Sequence, residues 1–155
     1  MTQFASAKQF LFLYQANLPV QDIQLIKEFA QEIKAEKKEV FFIVYHDFKK
    51  VPEGTVTQAF DTHISKADFN LFGNPKSSHL LRHTQIEYDY LFSFLDQQNP
   101  RLENFIKKTI ARVKIGRFEP HKKNLYRITF STQDNPKSME SFLSMAGNYL
   151  TKIHF

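Results

Sequence analysis

Apolar residues in the first third of the chain follow two different spacings. Residues 10–14 and 40–45 are continuous apolar runs, typical of strands that are buried on both faces of a parallel sheet. The segment between them, opened by Pro19, has apolar residues at helical spacing: Ile23, Ile26, Ala30 and Ile33. This pattern predicts a strand, a helix and a second strand. That order favours parallel pairing with a right-handed crossover.

The pattern is weaker in the middle of the chain. Residues 46–65 are polar with little periodicity, and they predict a loop that holds a short helix near Thr57. We predict a short strand over residues 67–72 and a turn at residues 73–75, where Gly, Asn and Pro follow one another. A brief helix with a serine cap is predicted over residues 77–84.

The hydrophobic pattern predicts elements more clearly in the second half of the chain than in the middle. Residues 88–95 are again apolar and aromatic and predict a third core strand. Asn99 and Pro100 mark the start of a helix, because Asn caps helices well and Pro fits the first helical position. The remaining predicted elements are an antiparallel hairpin of two strands and a final helix: residues 113–118, 125–130 and 136–151.

This order of elements predicts the α/β fold class. We expect a three-layer α/β/α sandwich with a mainly parallel, Rossmann-like sheet and an antiparallel strand near the C-terminus. The chain has 155 residues, which is enough to bury a core of its own. A single domain over residues 1–155 is therefore expected.

Composition excludes several classes of site. The sequence has no cysteine, which excludes disulfides, thiolate metal sites and a cysteine nucleophile. The first apolar run is shorter than the core of a signal peptide, and no run approaches the length of a membrane span. We therefore expect a cytoplasmic protein that does not insert into a membrane.

The positive charge is concentrated in one window. Residues 101–127 hold nine Lys or Arg against two acidic residues, a net charge of +7, whereas the rest of the chain carries −2. If the predicted helix continues to residue 112, then Arg101, Lys108 and Arg112 lie along one side of it. The candidate contact residues are Arg101, Lys108, Arg112, Lys114, Lys122, Lys123 and Arg127.

Three interpretations of this basic window remain open. It is the surface for a protein partner, including an acidic surface of a second copy of the chain. Alternatively, it contacts nucleic acid or another polyanion, with Phe118 or Tyr126 available for stacking. The third interpretation needs no partner, because solvated Lys and Arg side chains can simply cover apolar edges with their stems.

A second candidate site lies where the predicted strands end. In open α/β sheets, ligands bind beyond the carboxyl ends of the strands, where the strand order reverses. The polar residues predicted to contact a ligand there are Asn17, Asp96, Gln97 and Asn99. This rim favours a small molecule such as a nucleotide or a sugar phosphate. Dinucleotide and P-loop sites are not favoured, because those sites need clustered glycines, whereas the four glycines here are scattered.

Histidine pairs give weaker signals. His79 and His83 are four residues apart, a spacing that places two zinc ligands on one side of a helix. The segment lacks the Glu of a zincin, so two solvated histidines are the simpler interpretation. His46 precedes Asp47 and could use it as an orienting carboxylate, although adjacent strand residues point to opposite sides. We predict no catalytic residue, no metal and no cofactor.

Three segments resemble a known family. They are ADFNLFGNPKS at residues 67–77, EYDYLFSFL at residues 87–95 and TIARVKIGR at residues 109–117. Together they resemble a small family of uncharacterised proteins common in the Bacteroidota. The resemblance implies a cytoplasmic α/β domain and carries no activity or site residue. The family often has Ser-Lys-Ala where this chain has Thr109-Ile110-Ala111, and the missing Lys weakens any catalytic interpretation.

The function is therefore unknown from the sequence. Our first hypothesis is a non-catalytic binding domain that uses the basic window to contact a protein partner or a second copy. The alternatives are a small-molecule domain or enzyme with its pocket at the strand ends, and a nucleic-acid-binding domain.

Overall fold

Strands and helices alternate along the chain in the computed structural model, which describes residues 3–58, 60–117, 125–129 and 138–152. The strands are β1 (Gln9–Gln15), β2 (Glu39–Tyr45), β3 (Asp61–Ile64), β4 (Glu87–Ser93), β5 (Ile110–Gly116) and β6 (Ile128–Thr129). The helices are α1 (Gln3–Ser6), α2 (Val20–Ala35), α3 (Ser78–Leu81), α4 (Pro100–Lys108) and α5 (Met139–Lys152). Two short 3-10 helices lie at Lys66–Asp68 and Arg82–Thr84. None of the helices described is long and apolar enough to span a membrane.

The described strands form one sheet in the order β3-β2-β1-β4-β5-β6, and every adjacent pair is parallel. The chain builds outward from β1 to β3, and it then returns to place β4 on the other side of β1. The strand order therefore reverses between β1 and β4. The predicted α/β class and parallel sheet are confirmed.

Both faces of the sheet are apolar because successive side chains of a strand point to opposite faces. In β1, Phe10 and Phe12 pack against α2 and α5, and Leu11 and Leu13 pack against α3 and α4. All four side chains have no exposed surface. This double burial explains why the first strand is a continuous apolar run instead of an alternating one.

Local sequence determines the start of α4. Asn99 caps the helix, with its Oδ1 atom accepting a hydrogen bond from the Leu102 N–H at 3.2 Å, and Glu103 Oε2 accepts one from the Asn99 N–H at 2.7 Å. The predicted start is confirmed. The helix ends at Lys108, so Arg112 lies on β5 and the condition for a stripe of Arg101, Lys108 and Arg112 along the helix is not met. Pairing of Ile110 to Gly116 with β4 overrides the helical spacing of the apolar residues there.

The predicted antiparallel C-terminal strand is also wrong. Ile115 pairs with Ile128 in parallel, and the Arg127 N–H donates to the Lys114 carbonyl at 2.9 Å. The segment between β5 and β6 is long enough to be a crossover connection between parallel strands, so an antiparallel hairpin is not required. Most of this connection, residues 118–124, is outside the described residues.

The middle of the chain differs from the prediction as well. Residues 61–64 form the edge strand β3 within the predicted loop, and the segment near Thr57 is not helical. The predicted strand over residues 67–72 is instead part of a 3-10 helix and a turn. The hydrophobic pattern does not predict β3 because its sequence is half polar, and an edge strand needs only one apolar face. The predicted helix over residues 77–84 is confirmed as α3 and the 3-10 helix after it.

Candidate functional site

A cavity of about 140 Å³ lies at the carboxyl ends of β1 and β4, where the strand order reverses. Gln15 and Asn17 line it from the turn after β1, and Asp96 and Gln97 line it from the segment after β4. Apolar residues complete the wall: Leu18, Pro19, Phe94 and Leu95. Three of the four predicted ligand residues, Asn17, Asp96 and Gln97, therefore lie together.

Asn99 has a different place. It is not among the residues that line the cavity, and its side chain accepts the hydrogen bond that caps α4. Asn is a preferred residue at that position for this reason. A ligand contact by Asn99 would compete with the cap.

Backbone hydrogen bonds hold the rim in place beyond the ends of the strands. The Ala16 N–H donates to the Tyr45 carbonyl at 2.8 Å, and the Phe94 N–H donates to the Leu13 carbonyl at 2.9 Å. These bonds continue the parallel pairing by one residue past the paired strands. The polar side chains that follow thus project from a rigid edge.

Arg117 is a buried cation beside this rim. It comes directly after β5, its N–H donates to the Ser93 carbonyl at 3.1 Å, and its Nη1 atom lies 4.0 Å from Asp96 Oδ2. The Arg117 side chain is 8% exposed, whereas that of Asp96 is 44% exposed. The site therefore has a solvent-facing carboxylate backed by a buried guanidinium.

Our sequence prediction did not include Arg117 in this site. An antiparallel strand over residues 113–118, as the sequence predicts, does not end at the sheet edge where Asp96 lies. Arg117 directly follows β5. If β5 is parallel, the rule that ligands bind beyond the carboxyl ends of the strands includes Arg117 in the site for the same reason as Asp96.

The start of α2 also contributes to the site. Leu18 and Pro19 line the cavity, and α2 begins at Val20 with Pro19 as its N-cap residue and no side-chain capping bond. The first N–H groups of a helix lack partners within the helix, and they carry a partial positive charge. The positive end of the α2 dipole thus lies at this end of the cavity, although Asp22 in the first turn carries an opposing charge and its N–H donates to the Pro19 carbonyl at 2.9 Å.

Comparison with known proteins identifies a family. The model of a family of unknown function, DUF6913, matches residues 2–153, almost the whole length. The chain belongs to DUF6913. No curated protein and no solved structure matches it. Membership in DUF6913 confirms the resemblance to an uncharacterised family and carries no specific activity.

The basic residues of this DUF6913 chain lie in several places. Arg101 is at the start of α4, and Lys108 is at its other end. Arg112 donates from Nη2 to Asp89 Oδ1 at 2.6 Å, and Lys114 donates from Nζ to the Ile106 carbonyl at 2.6 Å. Arg112 and Lys114 therefore each have an intramolecular partner.

Two further groups of basic residues complete this description. Arg127 is exposed beside β5, and Lys122 and Lys123 are outside the described residues. Burial lowers the pKa of Lys114, as expected for a cation taken partly out of water. Binding of a partner or of nucleic acid by the basic window stays a prediction.

The histidines of the DUF6913 chain do not form the pairs considered from the sequence. His83 is buried, with Nδ1 2.6 Å from the Tyr88 hydroxyl and Nε2 3.0 Å from Thr62 Oγ1. His79 instead contacts Asp68, with Nε2 2.9 Å from Oδ1. The two rings thus have separate partners and do not converge on one point.

His46 also has an unexpected partner. Its Nε2 atom lies 2.9 Å from Nδ1 of His63 on the edge strand. Asp47 accepts a hydrogen bond from the Tyr45 hydroxyl and pairs with Lys66. The carboxylate that follows His46 in sequence therefore does not orient its ring.

Burial of His83 makes a pH-dependent stability testable. Burial, followed by positive charge at Arg82 and His79, lowers the pKa of His83 from its ordinary 6.5 to about 4. Between these values the unfolded chain binds more protons than the folded chain, so stability falls as the pH is lowered through this window. Between about pH 7 and about pH 5, the wild type should lose about 1–2 kcal/mol more stability than the His83→Gln variant.

Urea unfolding at the two pH values measures this difference. The His83→Gln side chain can still hydrogen-bond to Thr62 and Tyr88, but it does not titrate. Equal pH dependence in both proteins would contradict the assignment of a neutral, buried His83.

Proposed function

We propose that this DUF6913 domain binds a small polar molecule, with hydroxyl groups and an anionic group, in the cavity between β1 and β4. A sugar phosphate is an example of a ligand of this size and chemical type. The observation that carries the proposal is the coincidence of the cavity with the reversal of strand order, which is where open α/β sheets bind their ligands. A three-layer α/β/α arrangement is inferred with it, supported by the two core clusters on opposite faces of the sheet.

The lining residues support this ligand class. Asp96 is a hydrogen-bond acceptor that suits hydroxyl groups, and the side-chain amides of Asn17 and Gln97 can donate or accept. Arg117 offsets the carboxylate charge of Asp96, so an anionic ligand is not repelled as strongly as by an unpaired carboxylate. The uncapped start of α2 supports an anionic group at the other end of the cavity.

The dimensions and the turn sequence limit the ligand. The cavity measures about 140 Å³, below the roughly 300–1,000 Å³ of sites that enclose a drug-sized molecule. The turn after β1, residues 15–19, has no glycine to let the backbone approach a pyrophosphate closely. A small ligand that is partly exposed fits these features better than a dinucleotide does.

The basic-window hypothesis has less support than the strand-end site. Three of its described members already have intramolecular partners: Arg112 contacts Asp89, Lys114 contacts the Ile106 carbonyl, and Arg101 interacts with the Tyr45 hydroxyl. A polyanion site needs several cations that are available to phosphates. We therefore rank the small-molecule proposal first.

Thermal shift with a panel of sugar phosphates and nucleotides tests the proposal. A ligand at about 100 times its dissociation constant should stabilise the folded domain by about 2.7 kcal/mol. The Asp96→Asn and Asn17→Ala variants should lose this shift, because the first replaces one of the two carboxylate acceptor oxygens by an NH2 donor and the second removes a polar side chain that lines the cavity.

Asp47→Asn is the matched control. Asp47 is an exposed carboxylate that does not line the cavity, so its variant should shift like the wild type. A shift that survives both cavity variants, or no shift with any member of the panel, would rule out this site.

A further inference from the structure

Two bulky apolar side chains project from a turn between the 3-10 helix Lys66–Asp68 and α3. Leu71 is 101% exposed and Phe72 is 85% exposed. Single exposed apolar residues are common on protein surfaces, but adjacent large ones mark interaction sites when they are held out together. We call residues 70–73 the apolar turn.

The apolar turn is held in one conformation. Asn70 Oδ1 accepts hydrogen bonds from the N–H groups of Phe72 at 2.9 Å and Asn74 at 3.0 Å. Gly73 has φ of +78°, which glycine adopts without strain, and its carbonyl accepts a bond from Asn104 Nδ2 on α4 at 3.0 Å. Binding through this turn would therefore cost little ordering of the backbone.

The surroundings of the apolar turn are basic. Lys76 is exposed on one side of it, and Arg101 lies beside Gly73. Lys66 is exposed on the other side, where it pairs with Asp47. The acidic residue of this segment, Asp68, is buried and accepts a hydrogen bond from the Ser65 N–H while contacting His79. Its charge is thus directed inward, and the turn presents an apolar tip with a positive margin.

A concave, apolar groove with an acidic rim lies on the other face of the sheet, between α2 and α5. Its volume is about 280 Å³, and its apolar floor is Leu25, Phe29 and Leu143. It continues along α2 into a second cavity of about 180 Å³ that shares Phe29. Every charged residue among the described lining is acidic: Glu28, Glu32, Glu36 and Glu140. We call this combined feature the acidic groove.

We propose that the apolar turn of one copy docks into the acidic groove of a second copy. The turn is a rigid projection and the groove is a concave surface. Leu71 and Phe72 match the apolar floor, and Lys76 and Arg101 match the glutamates on the rim. Such complementary charge favours association and sets its orientation.

The positions of the two features determine the kind of assembly. The apolar turn contacts α4, whereas the groove is formed by α2 and α5 on the opposite face. One molecule therefore cannot fill its own groove. The contact between copies is head to tail, and each added copy leaves one turn and one groove open.

Mixing two complementary variants tests the proposal. The turn variant, Leu71→Asp with Phe72→Asp, retains an intact groove, and the groove variant, Glu28→Lys with Glu32→Lys, retains an intact turn. In sedimentation velocity over a concentration series, the wild type should gain mass with concentration and each variant alone should stay monomeric. The equimolar mixture should form a species of two chains and stop there, because its outer turn and outer groove are both disabled.

Val56→Asp is the control for adding a charge at an exposed apolar position, since Val56 is 79% exposed and belongs to neither feature. It should associate like the wild type. The proposal is overturned if the wild type stays monomeric, if the turn variant still associates, or if the mixture stays monomeric. Turn-dependent cosedimentation of a monomeric wild type with phosphatidylserine vesicles would also overturn it, by assigning the apolar turn to a lipid surface.

Discussion

The Phe12→Ala variant is expected to lower the free energy of unfolding by about 3–5 kcal/mol, the cost of emptying a large aromatic site in a core. Phe12 is at the centre of β1 and has no exposed surface. Among the described residues, four rings pack around it at centroid distances of 5.2–5.8 Å: Phe29, Phe42, Phe92 and Phe94. These rings come from α2, β2, β4 and the segment after β4, so the neighbours cannot all relax into the space.

Urea unfolding measures this loss, with Phe48→Ala as the matched control. Phe48 is 61% exposed, so its truncation should change stability by no more than about 0.5 kcal/mol. If the two variants lost the same stability, Phe12 would not be the centre of the core on the α2 face.

The Gly116→Ala variant should destabilise the protein by about 2–3 kcal/mol, which combines overpacking with a lost hydrogen bond. A Cβ atom on Gly116 would overlap with Cδ2 of Tyr126, so the ring would have to move. The Tyr126 hydroxyl donates to Ser93 Oγ at 2.8 Å inside the protein, and movement of the ring would break this bond. Thermal and urea unfolding of the variant measure the effect.

Gly147→Ala is the control for replacing a glycine where there is room. Gly147 is inside α5, and an added Cβ atom would lie 3.9 Å from Phe29 Cε2, an ordinary contact. Since Ala is a better helix former than Gly, this variant should be more stable by about 0.4–1 kcal/mol. Equal losses in the two glycine variants would contradict the packing of Tyr126 on Gly116.

The Gly116→Ala variant also connects stability with the proposed site. Gly116 precedes Arg117, whose N–H donates to the Ser93 carbonyl, and Ser93 is the residue that Tyr126 contacts. Displacement of Tyr126 therefore disturbs the segment that holds Arg117 beside Asp96. A variant that folds should have a weaker thermal shift with the ligand than the wild type.

Strongly apolar elements were predictable from the sequence. The run at residues 10–14 and the run at residues 40–45 correspond to β1 and β2, and the helical spacing between them corresponds to α2. A strand buried on both faces has no polar position to break the run, so the signal is local. Asn99 and Pro100 marked the start of α4 for a similarly local reason, because capping involves only neighbouring residues.

Weak or ambiguous segments depended on their neighbours. β3 is a half-polar edge strand, and it is a strand because β2 supplies its hydrogen-bond partners. Residues 110–113 fit a helix by apolar spacing, yet they pair with β4. In both segments the partner strand, distant in sequence, decides the structure.

The sequence by itself determined the βαβ start of the chain, the α/β class and three polar residues of the candidate site, Asn17, Asp96 and Gln97. Each of these follows from spacing within one segment and from the rule that parallel strands end at a common edge. Only the tertiary structure decided the direction of β6, the burial of Arg117 beside Asp96, and the intramolecular partners of Arg112 and Lys114. These depend on which strands are adjacent, and adjacency arises from long-range packing that no single segment encodes.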